Sequence, residues 1–343
     1  MKKTKVLLVS HVYSTKSGPV YGPVDVINNY LLTRKKFNLY LIKYNLNSII
    51  PIPIKSIIET ILTIIKSIIF KTNLYIGIDP LNAISGVILR KFGLVSKTIY
   101  YCVDYTPTRF ANKFLNNIYL WSDKFCANNS DEVWNVSRRI IDLRIKQRIQ
   151  NEKIKYIPNS SKFLDCPRVP DNKINKNQIV MVTGQTHNPV VDLVLKSFSI
   201  VIRDFPALKL KIIGVGKKRL QKNVEFLGQL TNEDLLKVVS ESYLALAIYT
   251  FSKDYSWITY GDSKKAREYL ACGVPVIITD VVGTSDEVKK YNAGIVIKAK
   301  IDELTNAIEK LMLDRKYWKT CRENAIKLGR DFDTDLILDN IFS

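Results

Sequence analysis

The chain has 343 residues, 46% of them hydrophobic and 24% charged, with 52 Lys+Arg against 32 Asp+Glu for a net charge of +20. That length exceeds one ordinary core and implies two domains, each apolar enough to fold. The positive balance favours anionic partners, yet the basic residues are scattered, with no zinc-finger spacing and no aromatic RNA-binding signature, so nucleic acid is not an expected partner.

The opening segment, MKKTKVLLVSHVYS, turns polar too soon for a signal-peptide core and reads as a first strand. Short runs rich in Val, Ile and Tyr predict buried parallel strands at Lys5–Ser10, Asn38–Lys43, Asn73–Ile78, Lys97–Val103, Glu132–Val136 and Ile154–Ile157. Helical patterns fill the gaps near 24–33, 54–70, 81–92, 109–127 and 137–149. In the second of these, Ile54, Ile57, Ile58, Ile61, Leu62, Ile65, Ile68 and Ile69 recur at helical spacing, with Lys55, Glu59, Thr63 and Lys66 opposite. Charges interrupt it, so it does not read as a span of ~20 apolar residues. It is expected to pack on its own domain's sheet; the alternative is a helix lying in a membrane interface, lysines towards headgroups.

Residues 159–177, NSSKFLDCPRVPDNKINKN, are polar and aperiodic with two prolines, which places a linker at 161–177. The pattern then restarts. Strands are expected at Gln178–Thr183, Leu208–Ile213, Val224–Leu227, Leu244–Thr250, Val274–Thr279 and Gly294–Lys298. Helices are expected near 189–204, 231–242, 263–272, 284–291 and 302–314, with more helix to about 329 and a last one near 333–342. Two successive βαβα runs imply an α/β protein of two Rossmann-like, doubly wound parallel-sheet domains, 1–160 and 178–330, facing across a cleft. The segment 331–343 is a C-terminal helix with the N-terminal domain as one candidate packing surface. The five cysteines, Cys102, Cys126, Cys166, Cys272 and Cys321, are far apart and odd in number, which suits reduced cytosolic thiols.

The segment 260–280, YGDSKKAREYLACGVPVIITD, is the most informative. Its helix carries Glu268 among Lys264, Lys265 and Arg267. Side chains four apart share a face, so Glu268 lies beside Lys264, with Lys265 three back. That face offers a carboxylate for sugar hydroxyls and ammonium groups for phosphate, and Asp262 or Ser263 can cap a helix start suited to anions. A solvated face with weak ion pairs explains the same residues.

The pieces SGPVYGPV, DEVWNVS, KYIPNSS, IVMVTG, LKIIGVG, VEFLGQL, AREYLACGVPVI and VGTSDEV…NAGIVI, in that order, resemble the retaining, nucleotide-sugar-dependent group 1 glycosyltransferases of the GT-B fold. The resemblance implies that Glu268 grips the donor ribose, for which a carboxylate can accept two hydroxyl hydrogen bonds. It places the Gly18–Gly22 loop near phosphates or acceptor, Gly214 and Gly216 against a base or ribose, Gly228 near the base and Glu287 near the sugar and diphosphate. Glu287 also reads as a first-turn helix acid.

The departures are specific. Tyr260 stands where the family's first glutamate should be, and Gly184-Gln185 replaces the usual start of a basic pair, with His187 following. The diphosphate would then fall to Lys265, with Lys264 second. Val103-Asp104 replaces a common His-Asp, so Asp104 and Arg109 are candidates to touch acceptor or sugar, or else cap a turn and start a helix. His11, ending the first strand, is a candidate to help catalysis. Asp331-Phe332-Asp333 fits an Asp-x-Asp metal pattern but reads as an N-cap, and neither metal nor cofactor is expected.

The implied activity is transfer of a hexose-type unit from a nucleoside diphosphate sugar to a hydroxyl acceptor, lipid-linked acceptors included. The expected setting is cytoplasmic, with the +20 charge favouring an anionic membrane surface. Two rivals share the scaffold: a nucleotide-sugar 2-epimerase, and a basic membrane- or nucleic-acid-binding protein without catalysis.

Overall fold

The structure, a computed structural model, describes residues 3–12, 14–15, 18–19, 22–45, 52–184, 189–214, 221–250 and 258–343. They divide into two units, Met1–Asn159 and Ser160–Ser343. The first contains β1 (Thr4–Val12), a ribbon of β2 (Ser14–Thr15) and β3 (Gly18–Pro19), α1 (Pro23–Thr33), β4 (Phe37–Asn45), α2 (Ile52–Phe70) and β5 (Leu74–Ile78). It continues with α3 (Pro80–Lys91), β6 (Lys97–Cys102), α4 (Lys113–Asn129), β7 (Glu132–Asn135), α5 (Arg138–Lys146) and β8 (Ile154–Tyr156). The six long strands form one sheet in the order β4-β1-β5-β6-β7-β8, every pairing parallel. Strand β5 is buried along its whole length, as a central strand covered on both faces must be.

Two expectations for this unit are corrected. The helix expected from 109 starts at Lys113, capped by Asn112 Oδ1, which accepts from Leu115 N at 3.1 Å. The Asn116 side chain holds the preceding residues as a loop, accepting from Phe110 N at 3.2 Å and donating to Pro107 O at 2.8 Å. Helix α2 packs the opposite way round. Thr63 and Ser67 are each 1% exposed, and Tyr44 Oη donates to Glu59 O at 3.1 Å and lies 2.7 Å from Thr63 Oγ1. The apolar stripe faces outward, from 42% exposure at Leu62 to 75% at Ile69. Hydrogen bonds attach the polar side of this helix to its unit, beside Ile64, which packs on the sheet core, and Phe70, whose ring lies 5.3 Å from that of Tyr40.

Beneath α4 and α5 a buried ion pair is fully partnered. Arg144 Nη2 donates to Asp123 Oδ1 at 2.7 Å and Nη1 to Oδ2 at 2.5 Å, with both side chains at 0% exposure. Tyr100 Oη also donates to Asp123, and Arg144 Nε to Asn135 Oδ1 at 3.3 Å. Such satisfaction is what keeps a buried charge tolerable.

The second unit contains β9 (Asn175–Val182), α6 (Pro189–Asp204), β10 (Lys209–Ile213), β11 (Val224–Gly228), α7 (Asn232–Ser240), β12 (Ser242–Ala247) and α8 (Lys264–Ala271). Then follow β13 (Val276–Thr279), α9 (Thr284–Lys290), β14 (Gly294–Ile297), α10 (Ile301–Leu313), α11 (Arg315–Asp331) and α12 (Thr334–Phe342). Its parallel sheet runs β11-β10-β9-β12-β13-β14, a doubly wound order that reverses between β9 and β12. Trp318 of α11 stacks on Tyr243 with centroids 4.5 Å apart and donates to Tyr243 O, tying this helix to the sheet core. Asp333 caps α12 as expected, its Oδ1 accepting from Leu336 N at 2.8 Å. Its other oxygen accepts from Phe163 N at 2.6 Å, and Thr334 Oγ1 donates to Ser160 O at 2.8 Å, so the 160–163 segment and α12 hold each other within this unit. All five cysteines are buried and free.

Candidate functional site

In an open parallel sheet the crevice lies beyond the carboxyl ends of the strands, at the order reversal. In the second unit that position falls at the ends of β9 and β12. Thr183 N donates to Ile213 O at 2.8 Å and Gly214 N to Gly228 O at 2.6 Å, so Gly184, Gly214 and Gly228 end three adjacent strands. Gly214 is obligatory: its φ is +95°, and a Cβ there would meet Thr183 O at 2.0 Å. Among the described residues, a Cβ at Gly184 or Gly228 would meet nothing within 4 Å, so these two present bare backbone. Gln185, His187 and Gly216 lie outside the described residues.

Helix α8 is brought to the same edge by two tyrosines. Tyr269 Oη accepts from Val182 N at 2.8 Å, and Tyr249, just beyond β12, has its Oη 2.6 Å from Ser263 Oγ. Ser263 Oγ also accepts from Ala266 N at 3.1 Å, which makes Ser263 the N-cap and leaves it only 4% exposed. Its role is to start the helix. The positive end of the α8 dipole therefore coincides with Lys264 and Lys265.

Glu268 is 7% exposed and turned away from bulk solvent. Its Oε1 lies 3.8 Å from Lys264 Nζ and accepts from Ser161 Oγ at 3.4 Å. Burial pushes its carboxyl above the ordinary range, opposed by Lys264, by the Ser161 hydrogen bond and by Lys265. Burial likewise lowers Lys265, opposed by Glu268. A desolvated ammonium beside a desolvated carboxylate is an arrangement that an incoming anion and hydroxyl pair can complete. Tyr260 is half-buried in the turn before α8, where Gly261 N donates to Ile258 O.

The third basic residue of α8 does not share this face. Arg267 is 3% exposed, donates to Asp262 Oδ1 at 2.8 Å and to Glu287 Oε2, and lies over the Phe332 ring at 4.7 Å. Glu287 is 2% exposed in this ion pair, which corrects its assignment as a donor-facing acid: it orients the helix start from inside. Asp262, 1% exposed at its side chain, is spent in the same way and cannot stand in for the missing first glutamate. The helical wheel held the signal. Arg267 falls between Ala266 and the Leu270–Ala271 pair on the buried stripe, and a cation there requires internal acids. Tyr249, Ser161 and Thr284, whose Oγ1 accepts from Ser263 N at 2.7 Å, were missed because nothing local in sequence marks them.

The carboxyl edge of the first sheet holds the remaining candidates. His11 is not a free base: its Nε2 lies 2.9 Å from Glu59 Oε2, and its Nδ1 2.9 Å from Asn82 Nδ2. Asn82 Nδ2 also donates to Ile78 O at 2.6 Å, which fixes the amide and makes Nδ1 an acceptor, leaving the Nε2 proton for Glu59. His11 therefore knits β1, α2 and α3 together. Arg109 starts no helix; its Nη1 donates to Asp104 O at 3.2 Å, and its guanidinium lies 5.8 Å from the Tyr119 centroid. Gly18 sits in the β2–β3 ribbon, and Gly22 precedes α1 with its N–H donated to Asp25 Oδ2 at 2.9 Å.

Asp104 is half-buried beside Asp79, whose Oδ1 accepts from Asp104 N at 3.4 Å. Burial and then Asp79 raise its carboxyl from 3.8 to about 6, against Arg109. A group raised on folding stabilises fully below its unfolded value and loses that contribution as pH rises through the folded one. Urea unfolding of the wild type should therefore show a stability component that declines between about pH 4 and about pH 6. Asp104→Asn should flatten that stretch; an unchanged pH profile refutes the assignment.

Residues 167–328 match the family described as glycosyl transferases group 1. The second unit is a group 1 glycosyltransferase domain. No curated protein matches the chain by sequence. Among solved structures, the chain is similar to sucrose-phosphate synthase from Thermosynechococcus elongatus, at 14% identity and TM-score 0.70, with 99% of this chain and 98% of that one covered. It is also similar to HepE of Anabaena in complex with UDP, at 14% identity and TM-score 0.71 with 98% of each covered. A third likeness is a putative UDP-N-acetylglucosamine 2-epimerase from Listeria monocytogenes, at 11% identity and TM-score 0.66, covering 99% and 96%. At such identities the likeness is one of fold, and that fold is GT-B.

Proposed function

We propose that this glycosyltransferase moves a hexose-type sugar from a nucleoside diphosphate sugar to a hydroxyl acceptor, with retention at the anomeric carbon, in cell-surface glycan or glycolipid synthesis on the cytoplasmic side. The observation that carries this reading is Glu268, nearly buried against Lys264, Lys265 and Ser161 at the order reversal of a doubly wound sheet. The carboxylate would accept two ribose hydroxyls. The bare backbone at Gly184 and Gly228 would let a base or ribose approach closely.

Lys265, whose ammonium is disfavoured by burial and only partly offset by Glu268, would find its counter-charge in the diphosphate and stabilise it as it departs, with the start of α8 behind it. The resemblance supports a reaction that needs no metal. Five free, buried cysteines fit a reducing compartment.

Uridine is the base favoured here, since HepE was solved with UDP and with UDP-glucose. The test is a thermal-shift panel of UDP, GDP, ADP, CMP and dTDP on the full chain. UDP at a hundred times its Kd should stabilise by about 2.7 kcal/mol, and the others by much less. If no nucleotide raises Tm, the donor-site reading fails. The epimerase reading predicts an altered sugar in product analysis without acceptor, where a transferase gives none.

A further inference from the structure

Helix α2 presents its apolar face to solvent and its polar face to its own unit. Glu59, Thr63 and Ser67, four residues apart in turn, face inward beside Ile64, while seven isoleucines and Leu62 are exposed by 42% to 75%. Scattered exposed apolar side chains are ordinary; eight on one face of one helix are not. The neighbourhood repeats the feature. Helix α3 packs on α2 and α4 on α3, and α4 exposes Phe114 by 72%, Ile118 by 43% and Trp121 by 59%, at helical spacing. Trp121 stacks on Phe125, and Lys91 at the end of α3 lies over the Phe125 ring at 5.0 Å.

Charge identifies the occupant. Residues 1–159 hold 24 Lys+Arg against 9 Asp+Glu, while residues 160–343 hold 28 against 23. The excess sits on the unit that carries the apolar face. Lys71, Lys91 and Lys113, at the ends of these three helices, and Lys124 within α4 are exposed. Lys55 and Lys66 turn inward instead, to Glu59 and over the Tyr44 ring, so the headgroup-facing cations are not those of α2 itself. Among the described residues no helix is long and apolar enough to cross a membrane.

We propose that this face docks on an anionic lipid surface. The α2 isoleucines enter the boundary between headgroups and acyl chains, Trp121 and Phe114 anchor beside them, and the unit's cationic excess holds the headgroups. The inference stands apart from the transferase reading, because docking needs no donor.

Flotation of the full chain with vesicles tests it, using phosphatidylcholine alone and an equimolar mixture with phosphatidylglycerol. Binding is expected to the mixture, weakening as salt rises. A triple variant, Ile57→Glu, Ile61→Glu and Ile65→Glu, should partition at least about a hundredfold less, with Tm and UDP response retained because these side chains are exposed. Trp121 emission should shift to the blue on wild-type binding, and that component should vanish in Trp121→Phe, which keeps the test valid if the triple variant does not fold. Failure of the wild type to bind the mixture at low salt overturns the proposal. So does a triple variant that binds like the wild type, or a wild-type dimer that ignores vesicles and is dissolved by the triple substitution.

Discussion

Replacing Glu268 by Gln should lower kcat/KM for transfer by about a hundredfold or more while leaving the fold intact. Truncating one partner of a buried, hydrogen-bonded charged contact costs about 2–5 kcal/mol, and 1.36 kcal/mol is tenfold in rate. The stability side points the other way. Burial raises the carboxyl of Glu268, so its ionised form costs stability at neutral pH: a raised group contributes below about 4.5 and loses that contribution as pH rises through its folded value. Gln resembles the neutral form, so Tm at neutral pH should hold or rise.

The rival account makes Glu268 only the partner of Lys264, at 3.8 Å. A helical pair of that kind contributes about 0.3–0.5 kcal/mol. That account predicts a small stability loss and no change in donor affinity. Calorimetric titration of UDP into wild type and Glu268→Gln separates the two, and equal affinities would refute the ribose contact.

The sheets were legible because buried parallel strands read as short apolar runs, and all twelve long strands lie where those runs fall. Periodicity also gave the correct face of α2 as a stripe, but not its direction. A stripe states which residues share a side; whether that side meets the sheet depends on what the sheet offers. Here Tyr44 and His11 offer hydrogen bonds, and Glu59 and Thr63 answer them.

The same limit explains Glu287 and Arg267. Residues twenty apart in sequence meet through tertiary packing, and neither carries a local mark of it. Glu268 was legible because its neighbours are three and four residues away on one helix. Its contact with Ser161, over a hundred positions off, was not.

Arg267→Met should be the most destabilising substitution at the site, by about 3–5 kcal/mol, because it leaves two buried carboxylates without their cation. Against a total of about 5–15 kcal/mol, such a loss brings the fold close to its limit. Asp262 and Glu287 have side chains only 1% and 2% exposed, and water cannot replace the guanidinium there.

The damage should also travel. Asp262 Oδ1 accepts from Thr284 Oγ1 at 2.7 Å, Thr284 Oγ1 accepts from Ser263 N at 2.7 Å, and Ser263 caps α8. Arg267→Lys should recover little, since a single ammonium cannot match a fork that reaches both acids. The triple variant Arg267→Met, Asp262→Asn, Glu287→Gln should recover most of the stability if the penalty is unpaired charge, because it leaves no buried ion. Urea midpoints compare the three. A loss under about 1 kcal/mol for Arg267→Met would show the carboxylates reaching solvent, and α8 would then need another reason for its fixed start.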